Sequence, residues 1–185
     1  FADAVTIGGN HVTMDIARGL STRLDDAERV KILHGSALGG GNGEDDVISV
    51  PPIGEEERDL PNQVTRAQLT RIIRPRIEEI LDLMRRRLAG SGLASEATQH
   101  LVLTGGGSQL TGLPELAARI LGRKVRIGRP LGISGLPDAA RGPAFAVAAG
   151  LLVYPQAAHL ELAHLCDQLE RPEEANRHYR AAVNC

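Results

Sequence analysis

His100-Leu101-Val102-Leu103-Thr104-Gly105-Gly106-Gly107-Ser108-Gln109-Leu110-Thr111-Gly112-Leu113-Pro114 is the stretch whose reading decides the fold. The apolar run 101–103 predicts a buried strand. It stops at Thr104 and three consecutive glycines, and apolar residues at helical spacing resume over 113–121. Glycine lets backbone approach a ligand closely and adopt positive φ. A glycine turn between a strand and a helix N-terminus is where α/β folds seat nucleotides. A tight turn without a ligand is the plainer alternative, but three glycines in a row exceed what a turn requires. Ser108 reads as a cap for the turn that follows.

Downstream, 124–128 predicts another strand and 129–141 a loop punctuated by Pro130 and Pro137. Pro143 opens a helix of small residues, with Ala146, Ala149 and Gly150, that can pack closely on a sheet. Upstream, 4–7 predicts a short strand ending at Gly8-Gly9, followed by a helix with Val12, Ile16 and Leu20 on one face. The next helix spans 25–34, where Asp25 reads as the cap and Glu28, three residues on, completes a capping box. A glycine-rich loop over 35–46 leads to a strand at 47–50, which Pro51-Pro52 stops, and then to an acidic connection over 54–62.

The longest helix is predicted over 65–87. Thr65 and Gln68 form a second capping box, and Leu69, Ile72, Ile73, Ile77, Ile80, Leu81, Met84 and Leu88 recur at helical spacing. Pro75 predicts a kink, unless the element is two pieces. Beyond 157 the character changes: leucines at 160, 162, 165 and 169 precede Pro172, which predicts two short helices joined there. This tail resembles a single tetratricopeptide-type helix pair, and one such unit cannot bury its own apolar face.

Bulk properties narrow the function. The chain has 185 residues, enough for one domain or two small ones, and its 42% hydrophobic and 24% charged content is that of a soluble globular protein. A net charge of −2 makes no case for nucleic acid. Phe1, Phe145, Tyr154 and Tyr179 are all the aromatics, too few for base-stacking platforms. Cys166 and Cys185 lie in no metal-binding spacing and read as reduced thiols of a cytosolic chain. No apolar run approaches the roughly 20 residues that span a bilayer, and no signal peptide opens the sequence. A first residue of Phe rather than Met predicts a fragment or a processed product. The six histidines are scattered outside any nucleophile motif, so no catalytic residue is expected.

Several segments together resemble the bacterial cell-division actin homologue FtsA. They are Gly8-Gly9-Asn10-His11-Val12-Thr13-Met14-Asp15-Ile16-Ala17, the Asp26-Ala27-Glu28-Arg29-Val30-Lys31 stretch running on to Gly35-Ser36-Ala37-Leu38-Gly39, and the Val102 to Gly112 unit. Val125-Arg126-Ile127-Gly128-Arg129-Pro130, Ile133-Ser134-Gly135-Leu136 and Ala148-Ala149-Gly150-Leu151-Leu152 support them in order and spacing. The resemblance covers 4–160. It implies the C-terminal half of an actin/Hsp70-like ATPase fold of α/β class, with 1–24 and 94–160 forming a parent α/β subdomain. A smaller α+β subdomain over 25–93 would be inserted into it, and a helical tail over 161–185 would follow. The family binds ATP, polymerises, links the FtsZ ring to the cytoplasmic face of the inner membrane at the division site, and recruits further division proteins.

Site residues follow from the same resemblance. Gly105, Gly106 and Gly107 would lie against the nucleoside of ATP. Glu28 would accept from the ribose hydroxyls and Lys31 would cover the base, although an i,i+3 ion pair in solvent fits this pair nearly as well. Gly8 and Gly9 would approach the phosphates, or simply end a strand. Asp15, within an amphipathic helix, reads as a solvated position rather than a metal ligand. The helix over 65–87 carries Arg66, Arg71, Arg74 and Arg76 with Glu78, Glu79 and Asp82. Mixed charge of this kind usually means a solvated face. The resemblance places it where the C-terminal tail of FtsZ docks, with Arg76 and Glu79 as partner contacts. Arg85-Arg86-Arg87 would complement the helix C-terminal dipole.

Two departures from the family pattern bear on function. The aspartate-bearing phosphate loops that organise Mg²⁺ in this fold precede Ala4 and are missing, so the chain should hold at most the adenosine side of ATP. At most a weak ATPase is expected of the full-length family. The tail also lacks the amphipathic membrane helix with which such proteins usually end. The rival readings are another actin/Hsp70-like ATPase, of pilus-assembly, shape-determining or chaperone type, and a helical-repeat interaction module.

Overall fold

The computed structural model describes residues 2–41, 43–53, 60–91, 100–168 and 172–184. The chain divides into two compact units, Phe1–Gly128 and Arg129–Cys185. The first unit contains α1 (Gly9–Leu20), α2 (Leu24–His34), β1 (Val47–Val50), β2 (Asn62–Thr65), α3 (Arg66–Gly90), β3 (His100–Leu103), α4 (Leu113–Leu121) and β4 (Lys124–Ile127). Strands β1 and β2 pair antiparallel, with Ile48 opposite Val64. Strands β3 and β4 pair parallel, with Leu101 opposite Val125. Parallel neighbours require a crossover, which α4 supplies.

Helix α3 organises the core. Leu69, Ile73, Ile77 and Leu81 are buried at four-residue steps, a stripe on one side of the helix. Val12 and Ile16 of α1, Val30 of α2, Ile48 and Val50 of β1 and Leu116 of α4 complete the cluster. Residues expected in the insert and in its parent subdomain thus share one core. Thr65 caps α3 as predicted: Gln68 N–H donates to Thr65 Oγ1 at 3.2 Å, and Thr65 N–H donates to Gln68 Oε1 at 2.9 Å. The helix runs without a break over Pro75. Proline removes the bond to the carbonyl of Arg71, but both residues are exposed, so that carbonyl sits on the wet side of the helix.

Three local expectations change. Residues 4–7 form no strand, because no described strand lies alongside to complete a ladder. Polar Asn62-Gln63-Val64-Thr65 does form one, with only Val64 buried. Strand β3 is not buried: Leu101 and Leu103 are half-buried, and Val102 is 46% exposed. Among the described residues β4 is its only ladder partner. Residues 54–59 of the expected acidic connection, and 92–99, where the second parent segment should begin, lie outside the described residues.

The second unit holds short 3-10 turns at Asp138–Ala140 and Pro143–Phe145, then α5 (Ala146–Gln168) and α6 (Pro172–Asn184). The small-residue helix and the first tail helix are one continuous element, so the expected tail boundary at 161 falls inside α5. Buried Ala149 and Ala163 on α5, and Ala175 and Ala182 on α6, let the two helices pack together. His159 Nδ1 and His178 Nδ1 meet between them at 3.1 Å.

Candidate functional site

Helix α1 starts at Gly9, and Gly8 precedes it in extended backbone at φ −157°. Gly8 N–H donates to His11 Nδ1 at 3.2 Å, and His11 N–H donates to Gly8 O at 2.9 Å. Neither bond needs a glycine, and no atom lies within 4 Å of a Cβ built on Gly8. Helix α2 starts at Leu24 with Arg23 as its capping residue and no side-chain cap. The capping box expected of Asp25 and Glu28 is therefore not formed. Asp25 and Asp26 instead stand in the first turn, where negative charge suits the helix dipole, and Asp26 accepts from Arg23 at 3.0 Å.

Released from capping, Glu28 turns toward α1. Its Oε2 accepts from Lys31 Nζ at 2.6 Å and from Thr13 Oγ1 at 2.5 Å. Lys31 Nζ also lies 2.8 Å from Thr13 Oγ1 and 3.3 Å from the carbonyl of Gly9. Lys31 is 15% exposed and Glu28 43%. Glu28 Oε1 accepts no bond from the described residues, so the carboxylate is held by one oxygen and presents the other. Burial raises the Glu28 pKa, yet the hydrogen bonds from Lys31 and Thr13 outweigh it and hold the carboxyl below its usual range. Glu28 is thus an ionised acceptor at neutral pH.

The glycine turn has its own logic. Gly105 sits at φ +87° and ψ 171°, a conformation essentially restricted to glycine. Gly106 and Gly107 open a short 3-10 turn over Gly106–Gln109 at ordinary φ, and a Cβ on either would stand in open space. Only one of the three glycines is required by the chain itself. Ser108 does not cap by accepting an N–H: its Oγ donates to the carbonyl of Gly105 at 2.7 Å. The far end of the turn is tied to the end of α2, where Ala37 N–H donates to Thr111 O at 2.8 Å beside a parallel bridge between Ser36 and Thr111. Gly112, at φ +75°, packs so closely on Leu38 that an added Cβ would lie 2.9 Å from its Cγ. Lys31 therefore meets both Gly9 and Glu28 directly, and the turn that carries Gly105, Gly106 and Gly107 is joined to the end of α2 through this strap.

On α3, Arg76 is already engaged. Its Nε and Nη2 donate to the two carboxylate oxygens of Asp15 at 2.6 and 3.1 Å, and Nη1 donates to Glu79 at 2.5 Å. Asp15 is not a solvated helix position; its side chain is 20% exposed. Arg66 approaches Asp46 at 3.5 Å and Arg74 pairs with Glu78 at 2.7 Å. In the expected basic C-terminal turn, Arg85 pairs with Asp82 and Arg87 with Asp3. Of the first four arginines Arg71 alone makes no ion pair among the described residues. It lines an open depression of about 570 Å³ with Leu20, Asn62, Gln63, Gln68 and Ile72. No group of three or more metal-ligating side chains is present among the described residues, and no helix among them is long and apolar enough to cross a membrane.

The family model "Cell division protein FtsA" matches residues 1–150. The chain belongs to the FtsA family. It is 61% identical over 160 residues to the cell division protein FtsA of Agrobacterium fabrum and 63% identical over 160 residues to that of Rhizobium meliloti. Each alignment covers 86% of this chain and 36% of the relative. The FtsA of Escherichia coli K12 is 38% identical over 163 residues, covering 84% and 38%. The chain thus spans little more than a third of the length of the curated relatives it matches. Among solved structures it is similar to MreB5 of Spiroplasma citri bound to ADP, with TM-score 0.61, 18% identity and coverage of 83% and 46%. The AMPPNP-bound form gives TM-score 0.55, 17% identity and coverage of 83% and 45%. That likeness shows the fold, part of an actin-like one, as the resemblance of the ordered segments implies.

Sequence reasoning missed Thr13 in this FtsA-family chain and took Asp15 for a solvated position rather than the partner of Arg76. Thr13 had a legible signal: it is a polar residue on the same buried face of α1 as Val12 and Ile16.

Proposed function

We propose that the chain supplies the adenosine side of an ATP site in a cell-division actin homologue. The observation that carries this reading is the Glu28 carboxylate, fixed through Oε2 by Lys31 and Thr13 and open at Oε1. An anchored, ionised acceptor is suited to the hydroxyls of a ribose. The methylene stem of Lys31 covers a base while its ammonium stays bonded to Glu28. Gly8, Gly9, Gly105, Gly106 and Gly107 leave room for close approach, and at Gly106 and Gly107 the chain's own conformation gives no other reason for glycine. The nucleotides held by the MreB5 structures of like fold agree with this reading. Gly8 and Gly9 face the phosphates, Mg²⁺ falls to other segments, and we place no catalytic residue here. In the full-length protein carrying this chain, Glu28→Gln is expected to weaken ATP binding about tenfold, the worth of a charged hydrogen bond. Calorimetric titration showing an unchanged Kd refutes the site.

In the division machinery the protein polymerises, joins the FtsZ ring to the cytoplasmic face of the inner membrane and recruits later components. On this reading 25–93 is the inserted subdomain that receives the FtsZ tail, 1–24 and 94–160 form its parent, and 161–185 is a helical tail. The Arg71 depression combines a cation that has no ion pair among the described residues with the apolar groups of Leu20 and Ile72, and Arg76 and Glu79 belong to the same helix. A tail with apolar anchors and acidic groups matches that chemistry. Arg71→Glu and Arg76→Glu are each expected to reduce affinity for an FtsZ tail peptide at least tenfold by fluorescence anisotropy. Unchanged binding in both removes the groove from the interface.

A further inference from the structure

We propose that Thr13 is a positioning residue for nucleoside recognition, setting the geometry of both Glu28 and Lys31; this rests on the adenosine-site reading. Three groups converge on one hydroxyl: the carboxylate of Glu28 at 2.5 Å, the ammonium of Lys31 at 2.8 Å and the carbonyl of Gly9 at 3.2 Å. A hydroxyl has a single proton to give and two lone pairs to accept with. Lys31 has no acceptor and must donate, so it occupies a lone pair. The proton then goes to Glu28 or to Gly9, and the shorter, charge-assisted bond to Glu28 takes it. A helical threonine ordinarily turns back to the carbonyl four residues earlier. Here that carbonyl, Gly9 O, is left as a third acceptor for the Lys31 ammonium, beside Glu28 and Thr13.

The arrangement fixes two mobile side chains from a rigid point. Thr13 is 6% exposed and sits on the buried face of α1 with Val12 and Ile16. Its β-branched side chain has few rotamers on a helix. Glu28 and Lys31 belong to α2, so the pair is set from the neighbouring helix rather than by its own i,i+3 spacing. Without the hydroxyl, Glu28 keeps Lys31 but loses the partner that directs Oε2 inward and leaves Oε1 outward. Water cannot readily replace that partner at so buried a position.

The test uses the full-length protein and three variants: Thr13→Val, close in shape but without a hydroxyl, Thr13→Ser, which keeps it, and Glu28→Gln. Thr13→Val is expected to weaken ATP binding about tenfold, with Thr13→Ser restoring affinity to within about threefold of wild type. The pH profile is the readout that a packing role would not move. Thr13 lowers the Glu28 pKa, so Thr13→Val is expected to shift the acid limb of ATP binding to higher pH and Thr13→Ser to return it. Carbon-13 NMR titration of the Glu28 carboxyl, without nucleotide, checks the same contact independently of binding. Equal Kd and acid limb in wild type and Thr13→Val overturn the proposal. So does a Glu28 carboxyl titration unmoved in Thr13→Val, whether or not that variant is destabilised. Wild-type protein that binds ATP no better than Glu28→Gln overturns the site reading instead, while the carboxyl titration still judges Thr13.

Discussion

Arg76 grips Asp15 at both carboxylate oxygens, the fork geometry that makes a guanidinium–carboxylate pair directional. That hydrogen bond, working against partial burial, holds the Asp15 carboxyl below the usual carboxylate range. A carboxyl with a depressed folded-state pKa adds stability above its unfolded value of about 3.9. The contribution disappears as pH falls through the folded value. Asp15→Asn is therefore expected to lower Tm at neutral pH, with the difference from wild type closing below about pH 4. Thermal melts across that range showing a constant difference would mean the pair does not link α1 to α3 in solution. The contact was illegible in the sequence because its partners lie 61 residues apart. The Glu28–Lys31 pair was legible because three residues on a helix are neighbours. What that pair touches was not, since Thr13 reaches Glu28 across 15 residues and between two helices.

At the scale of elements, α3 followed its periodicity closely. Its apolar stripe recurs every four residues, and Thr65 with Gln68 closes the N-terminus as the local pattern dictates. Thr65→Ala is expected to cost about 1 kcal/mol, read as a lower urea midpoint with unchanged m. No change in midpoint would mean that other donors satisfy the first turn. Pro75 shows the limit of a local rule, because its missing bond falls on the solvent side and the helix continues. Strand β2 shows the opposite limit. Asn62, Gln63 and Thr65 carry no strand pattern, and pairing with β1 is what makes the segment extended. On α2 the capping box failed because the helix begins one residue before Asp25, at Leu24, which left Glu28 free to form the site.

Across the molecule, the two ends of the chain's logic differ. The family match reaches residue 150, and the helix that starts inside it, α5, continues to Gln168. The change of composition near 157 interrupts no secondary structure, because the backbone hydrogen-bond ladder of α5 carries through it. Strand β3 reads as buried because apolar runs usually lie inside parallel sheets covered on both faces, yet Val102 is 46% exposed beside β4, its only ladder partner among the described residues. Sequence alone determined the helices, the glycine turn at Gly105, the nearness of Glu28 to Lys31, and membership of an actin-like family. The helices, the turn and the pair rest on interactions within a few residues, namely periodic burial, capping and backbone sterics, whereas the family was legible only as a resemblance carried by an ordered set of motifs. Tertiary structure decided that β2 is a strand, that Asp15 clamps Arg76, that Arg71 makes no ion pair among the described residues, and that Thr13 holds Glu28 by one oxygen. Each of those depends on which groups two packed helices or strands bring within hydrogen-bond distance, and separation along the chain carries no record of that.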